Sequence, residues 1–221
     1  MEGYVRQARS VLTQFLGAGR SAAGSLAYRN NKDAIWRGDI PEKYSRLVEL
    51  VTGERILELG AAEGVLSLIL AQSKQKVFAL ELRQGRHEEA LRLQASWQQR
   101  GLDVDRCEMI HGNIIDRFDL LDSVDTLVAV RSIYHLREDL DAVFDAVGQR
   151  VPNVVLCGNA NRARQYHAAK GRTNGGGGDF NYFASVEGMI AVLEARRYTI
   201  VRVVAQGDPI VVGAKAIHPR A

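Results

Sequence analysis

Ile56-Leu57-Glu58-Leu59-Gly60-Ala61-Ala62-Glu63-Gly64 is the stretch on which the reading of this chain turns. Arg55 to Leu59 has the length and apolar character of a buried strand, and the small residues after it mark a turn into a helix near Glu63 to Gln72. Small residues let a backbone approach a ligand closely, and the helix start behind them offers free amide donors. The segment reads either as a ligand cradle or as a tight strand-to-helix connection.

Working outward, the pattern repeats. Lys76 to Glu81 reads as a second strand, followed by a long helix from Gly85 to Gln99. Arg106 to His111 is a third strand and Thr126 to Val130 a fourth, with a helix at Glu138 to Gln149 behind it. Asn153 to Cys157 is a fifth. A helix at Ser185 to Arg196 leads into a sixth, Thr199 to Ala205, and after Gly207-Asp208-Pro209 the last strand runs from Ile210 to Ala216. Strands alternating with helices imply right-handed crossovers and a largely parallel sheet. The short turn before the last strand requires an antiparallel hairpin. The expected fold is therefore α/β and Rossmann-like: a seven-stranded, mostly parallel sheet with a C-terminal antiparallel hairpin and helices on both faces. Ahead of it, Val5, Ala8, Leu12 and Phe15 have helical spacing, and Pro41 to Val51 reads as a further helix. Residues 1–40 are expected to form a helical extension or cap, and residues 41–221 the domain.

The second strand ends on Glu81, 21 residues after Gly60. An acid at that distance is placed to accept hydrogen bonds from ribose hydroxyls. Together these elements resemble the class I S-adenosylmethionine-dependent methyltransferases, whose first motif reads acid-x-Gly-x-Gly-x-Gly. Here it stands as Glu58-Leu59-Gly60-Ala61-Ala62-Glu63-Gly64, with Ala62 in place of the middle Gly. The resemblance covers roughly Glu54 to Ala216. It implies S-adenosyl-L-methionine as cofactor. It also implies that Glu58 organises the loop near the methionine amino group, that Gly60, Ala61, Ala62 and Gly64 give backbone access, and that Glu81 and Leu82 hold the ribose side. After the third strand it implies a polar reader of the adenine amino group, where Asn113 stands, with Ile114 against the ring. Asn113 reads equally as the residue that makes a turn. A dinucleotide is disfavoured, because the second Gly is missing and Glu63 would repel a pyrophosphate at the helix start.

Methyl transfer needs alignment and, for a hydroxyl acceptor, a base. The acceptor is expected at the ends of the fourth and fifth strands. His135, in Val130-Arg131-Ser132-Ile133-Tyr134-His135-Leu136, is the candidate general base, since its ordinary pKa lies near neutrality. Its alternative role, with Tyr134, is to pack and cap the next helix. Arg131 binds the cofactor carboxylate or an acidic acceptor, or else forms a surface ion pair. After the fifth strand, Arg162, Arg164, Lys170 and Arg172 give a positive bias that suits phosphate or carboxylate, with Tyr134, Arg162 and Arg164 as acceptor-binding candidates. Gly175 to Gly178 favour a mobile lid, and Phe180, Tyr182 and Phe183 either wall the acceptor pocket or fill core.

Composition sets the outer bounds. The chain has 221 residues, 46% hydrophobic and 25% charged, enough for one full core without disulfides. Cys107 and Cys157 sit in or beside apolar runs and read as buried thiols. No signal peptide or membrane span is read, so a cytoplasmic enzyme is expected. The five histidines show no metal-ligand spacing, and no metal is expected. A net charge of +3 permits an anionic partner without requiring one. The leading expectation is O-methylation of a small-molecule or saccharide acceptor with anionic character, with a homodimer open. An RNA methyltransferase and a non-catalytic protein of the same fold are the alternatives. The absence of a dense basic stripe counts against nucleic acid.

Overall fold

The computed structural model describes residues 42–169 and 180–215, together with Ile35. The elements are α1 (Glu42–Leu50), β1 (Arg55–Leu59), α2 (Val65–Ala71), β2 (Lys76–Glu81), α3 (Gln84–Gln99), β3 (Cys107–His111), β4 (Thr126–Val130), α4 (Leu140–Arg150), β5 (Asn153–Cys157), α5 (Ala160–Ala169), α6 (Val186–Glu194), β6 (Thr199–Val204) and β7 (Ile210–Ala214). Short 3-10 segments occupy Ile114–Ser123, Ile133–His135, Arg137–Asp139 and Phe180–Ala184. The expected N-terminal helix and the Gly175–Gly178 run lie outside the described residues, apart from Ile35, which is buried in the core.

The seven strands form one sheet in the order β3-β2-β1-β4-β5-β7-β6. Strands β1 to β5 are parallel, and β7 runs antiparallel to both β5 and β6. The hairpin expected from the Gly207-Asp208-Pro209 turn is present, and its second strand inserts between β5 and β6. Burial explains that order. In β7, Ile210, Val211 and Val212 are buried on both faces, as an inner strand requires. In β6 all residues are exposed or half-buried, and the strand carries Arg202 and a bulge between Ile200 and Arg202, features that blunt an open edge.

Two apolar layers cover the sheet. One face packs against α4, α6 and the Ile114–Ser123 segment through Phe144, Val147, Met189, Leu193 and Leu121. The other packs against α1, α2 and α3 through Leu47, Leu66, Leu70, Leu93 and Trp97. Helix α2 is buried on every side, which is why its sequence, VLSLILA, shows no polar stripe. Burial pushes the Cys107 thiol up to about 12, with Glu58 adding to the effect, so it stays protonated. Cys157 is likewise a buried free thiol.

The sequence order of strands reverses direction at β1. From there the chain steps outward to β2 and β3, then returns to the opposite side for β4. The crossovers on either side of β1 and β4 therefore diverge and leave a crevice at the carboxyl ends of these strands.

Candidate active site

A cleft of about 570 Å³ opens at that switch point. Its walls are the turn after β1, the end of β2, the turn after β3 and the segment after β4. Of the residues singled out in the sequence, Glu58, Gly60, Ala61, Ala62, Glu81, Leu82, Asn113, Ile114, Arg131, Tyr134 and His135 all line it.

The β1 turn is held open by conformations that its small residues make accessible. Gly60 has φ +75°, and a Cβ there would meet the Ser132 Cβ at 2.7 Å. Ser132 Oγ donates to the Leu59 carbonyl at 2.6 Å, so the β1 and β4 turns are locked face to face. Gly64 has φ +71° and caps α2, and a Cβ there would meet the Met109 Cε at 2.6 Å. Gly64 is not among the residues lining the cleft and serves the turn's shape. Ala62, at φ +53°, adopts the left-handed conformation that a Gly would take without strain. Four non-Gly residues among those described have positive φ, and three of them, Ala62, Arg131 and Arg137, line the cleft. Strain of this kind concentrates where a ligand shapes the backbone.

Two buried carboxylates form the floor. Glu58 is 3% exposed and accepts a 2.5 Å hydrogen bond from Ser67 Oγ on α2. Glu81 is 6% exposed, and its two oxygens accept from the backbone amides of Ala62 and Arg83, each at 2.8 Å. These bonds make the β2 acid and the β1 turn one surface. A carboxylate oxygen can accept more than one hydrogen bond, so Glu81 retains acceptor capacity beside these two amides. Tyr44, from α1, also lines the cleft. Burial, with Glu58 and Glu63 nearby, raises its pKa and keeps the phenol protonated.

At the β3 side, Asn113 Oδ1 accepts from the Ile115 amide at 3.3 Å and caps the 3-10 segment, so the turn-making role is realised. Leu82 is 62% exposed beside the cleft, an apolar platform at the surface. Its carbonyl faces His111 Nε2 at 3.0 Å.

The β4 end carries Arg131, Tyr134 and His135. Arg131 Nε donates to Asp208 Oδ2 at 2.8 Å, and its Nη2 contacts the same oxygen. The ion pair weighed in the sequence is thus formed, although its partner lies 77 residues away in the β6–β7 turn. Asp208 Oδ1 also accepts from the Ala160 amide at 3.2 Å, which ties the start of α5 to the same point. Tyr134 is buried, with Arg162 4.5 Å above its ring and the His135 ring 4.6 Å away. Asn159 Nδ2 lies 3.5 Å from the Tyr134 hydroxyl, and Asn159 Oδ1 accepts from the Arg162 amide at 3.2 Å. Burial lowers the His135 pKa, and Arg162, Arg83, Arg137 and Arg86 lower it further, so the imidazole is neutral at neutral pH.

The expected arginines are redistributed. Arg162 reaches Asn181 Oδ1 at 2.9 Å and stacks on Tyr134. Arg164 lies on the exposed side of α5, hydrogen-bonded to Asn161 and away from the cleft-lining residues. Lys170 and Arg172 lie outside the described residues. The guanidiniums on the cleft wall include Arg83, Arg86 and Arg137, none of which stood out in the sequence. The available signal was position: Arg83 and Arg86 directly follow the Glu81 strand end, and Arg137 follows the His135 segment.

Among the described residues, no group of three or more His, Cys, Asp or Glu side chains gathers to hold a metal ion, and no helix is long and apolar enough to cross a membrane.

The chain matches no family model and no curated protein sequence. Solved structures do resemble it. Magnesium protoporphyrin IX methyltransferase from Synechocystis PCC 6803, with bound SAH, is 13% identical over 97% of both chains, with a TM-score of 0.57. Precorrin-6y C5,15-methyltransferase from Geobacter metallireducens GS-15 is 13% identical over 80% of this chain and 89% of its own, with a TM-score of 0.55. A putative O-methyltransferase from Klebsiella pneumoniae is 15% identical over 96% of this chain and 89% of its own, with a TM-score of 0.53. The fold is that of these methyltransferases.

Proposed function

We propose that the protein is an S-adenosylmethionine-dependent methyltransferase acting at oxygen on a small-molecule or saccharide acceptor of anionic character. The observation that carries this reading is the joined surface of Glu81 and the Ala62 amide on the cleft floor, beside buried Glu58. A cofactor with a ribose, a cationic sulfonium and an α-amino group fits this donor set. Glu81 would hold the ribose hydroxyls, Glu58 would face the cationic groups, and Leu82 and Ile114 would flank the adenine. When bound, S-adenosylmethionine supplies an electrophilic methyl carbon.

The chain's own residues do the rest. The Gly60–Gly64 turn excludes side chains from the cofactor's path. Tyr134 and Asn159 shape the acceptor end beneath Arg162. His135, neutral at neutral pH, removes the hydroxyl proton at an imidazole nitrogen as the acceptor oxygen becomes nucleophilic. Arg131 acts through Asp208, keeping the β4 turn and the start of α5 in register.

A labelled-methyl screen of hydroxy acids, phosphorylated sugars and tRNA tests this. Transfer to an anionic hydroxyl compound is expected, with His135→Ala lowering turnover about 100-fold while cofactor affinity holds. Incorporation into tRNA alone would move the protein to the RNA reading. Full turnover by His135→Ala would remove His135 as the base.

A further inference from the structure

The cleft is electrically divided. Its floor holds the buried carboxylates Glu58 and Glu81, and its exposed rim holds Arg83, Arg137 and His135. Arg83 comes from the β2 end and Arg137 from the segment after β4, so the two line the cleft from strands on opposite sides of β1. Arg86 joins Arg83 on the first side. Arg162, over the Tyr134 ring, is a fourth cation near His135. Elsewhere much of the surface charge is matched locally: Arg196 with Asp141 and Asp145, Arg150 with Asp122, Lys76 with Glu108, Arg106 with Asp103. Among the described residues, the side chains of Arg83 and Arg137 have no ion-pair partner.

Like charges crowded on one rim repel one another, and a ligand that supplies negative charge relieves that repulsion. One carboxylate satisfies one guanidinium fork. A dianion with three terminal oxygens satisfies guanidiniums arriving from two walls.

From these observations we infer that Arg83 and Arg137, with Arg86, form a phosphate-binding rim, and that the acceptor is a small phosphate monoester whose free hydroxyl reaches His135. The inference rests on the methyltransferase reading and names its substrate class.

Calorimetry on the full chain loaded with S-adenosylhomocysteine separates the outcomes. The probes are inorganic phosphate, acetate and a short RNA oligonucleotide. Phosphate is expected to bind one to one, at least about tenfold more tightly than acetate. The double variant Arg83→Ala/Arg137→Ala should weaken phosphate at least about tenfold, and Arg106→Ala, which removes a cation far from the cleft, should leave it within about twofold. Both rim side chains are exposed, so the double variant keeps its fold, and circular dichroism verifies this. Phosphate affinity unchanged in the double variant, or equal affinity for acetate, would overturn the inference while S-adenosylhomocysteine binding kept the enzyme reading intact. RNA binding tighter than phosphate and lost in the same variant would overturn it in favour of a polynucleotide acceptor. Failure to load S-adenosylhomocysteine would count against both.

Discussion

At Gly60 and Ala62 the same pair of residue types answers opposite demands two positions apart. Gly60 needs its missing Cβ because of both its φ and the wall of Ser132, so Gly60→Ala should cost about 2 kcal/mol of stability. Ala62 has a left-handed φ of +53° and already carries its Cβ there. Ala62→Gly relaxes that strain but loosens the unfolded chain, and the two effects offset to within about 0.5 kcal/mol. Urea unfolding of both variants measures the contrast. With His135 as the proposed base, its ionisation sets the pH dependence. Its pKa lies below the ordinary 6.5, because of burial first and the surrounding arginines next. The neutral base is therefore present above that lowered value, and the acid limb of kcat/KM should fall below pH 6.5. Arg137→Ala removes one repelling cation, raises the imidazole pKa and should move the limb toward higher pH. A limb that stayed in place would separate it from His135.

At the scale of elements, single tethers hold the loops that carry the site. Asp208 joins the β6–β7 turn to Arg131 after β4 and to the first amide of α5. The pair is only part-buried, so a double-mutant cycle on Arg131→Ala and Asp208→Ala should give a coupling of about 1 kcal/mol. Ser185 caps α6 by accepting from the Gly188 amide at 3.2 Å, and Ser185→Ala should lower stability by about 1 kcal/mol. The strands were legible because their apolar runs are short and bounded by turn residues. The 3-10 segment Ile114–Ser123 was not, since a kink at Arg117 breaks any regular period. The helix boundaries shifted for similar reasons. Helix α2 begins only at Val65, after the left-handed Gly64, and α4 begins at Leu140, after a separate 3-10 turn.

For the whole molecule, the sheet and the cleft floor were the legible parts. Gly60, Glu58 and Glu81 lie close in sequence on consecutive strands, so their spacing alone brings them together. The rim was not legible. Arg83 and Arg137 stand on the connections after β2 and β4, which only the topology gathers at one end of the sheet. Sequence proximity instead pointed to Arg162, which stacks on Tyr134, and to Arg164, which the helical turn of α5 carries outward to the surface. The partner of Arg131 was hidden for the same reason, because β7 inserts between β5 and β6 and brings Asp208 across to β4.

Titration calorimetry with S-adenosylhomocysteine, on wild type and Glu81→Ala, is the most direct test of the central claim that the Gly60–Gly64 turn and Glu81 form a cofactor site. The account predicts one-site binding to wild type, weakened about 10- to 100-fold in the variant by the loss of hydrogen bonds to a buried carboxylate. No binding to wild type, or equal affinity in Glu81→Ala, would contradict it.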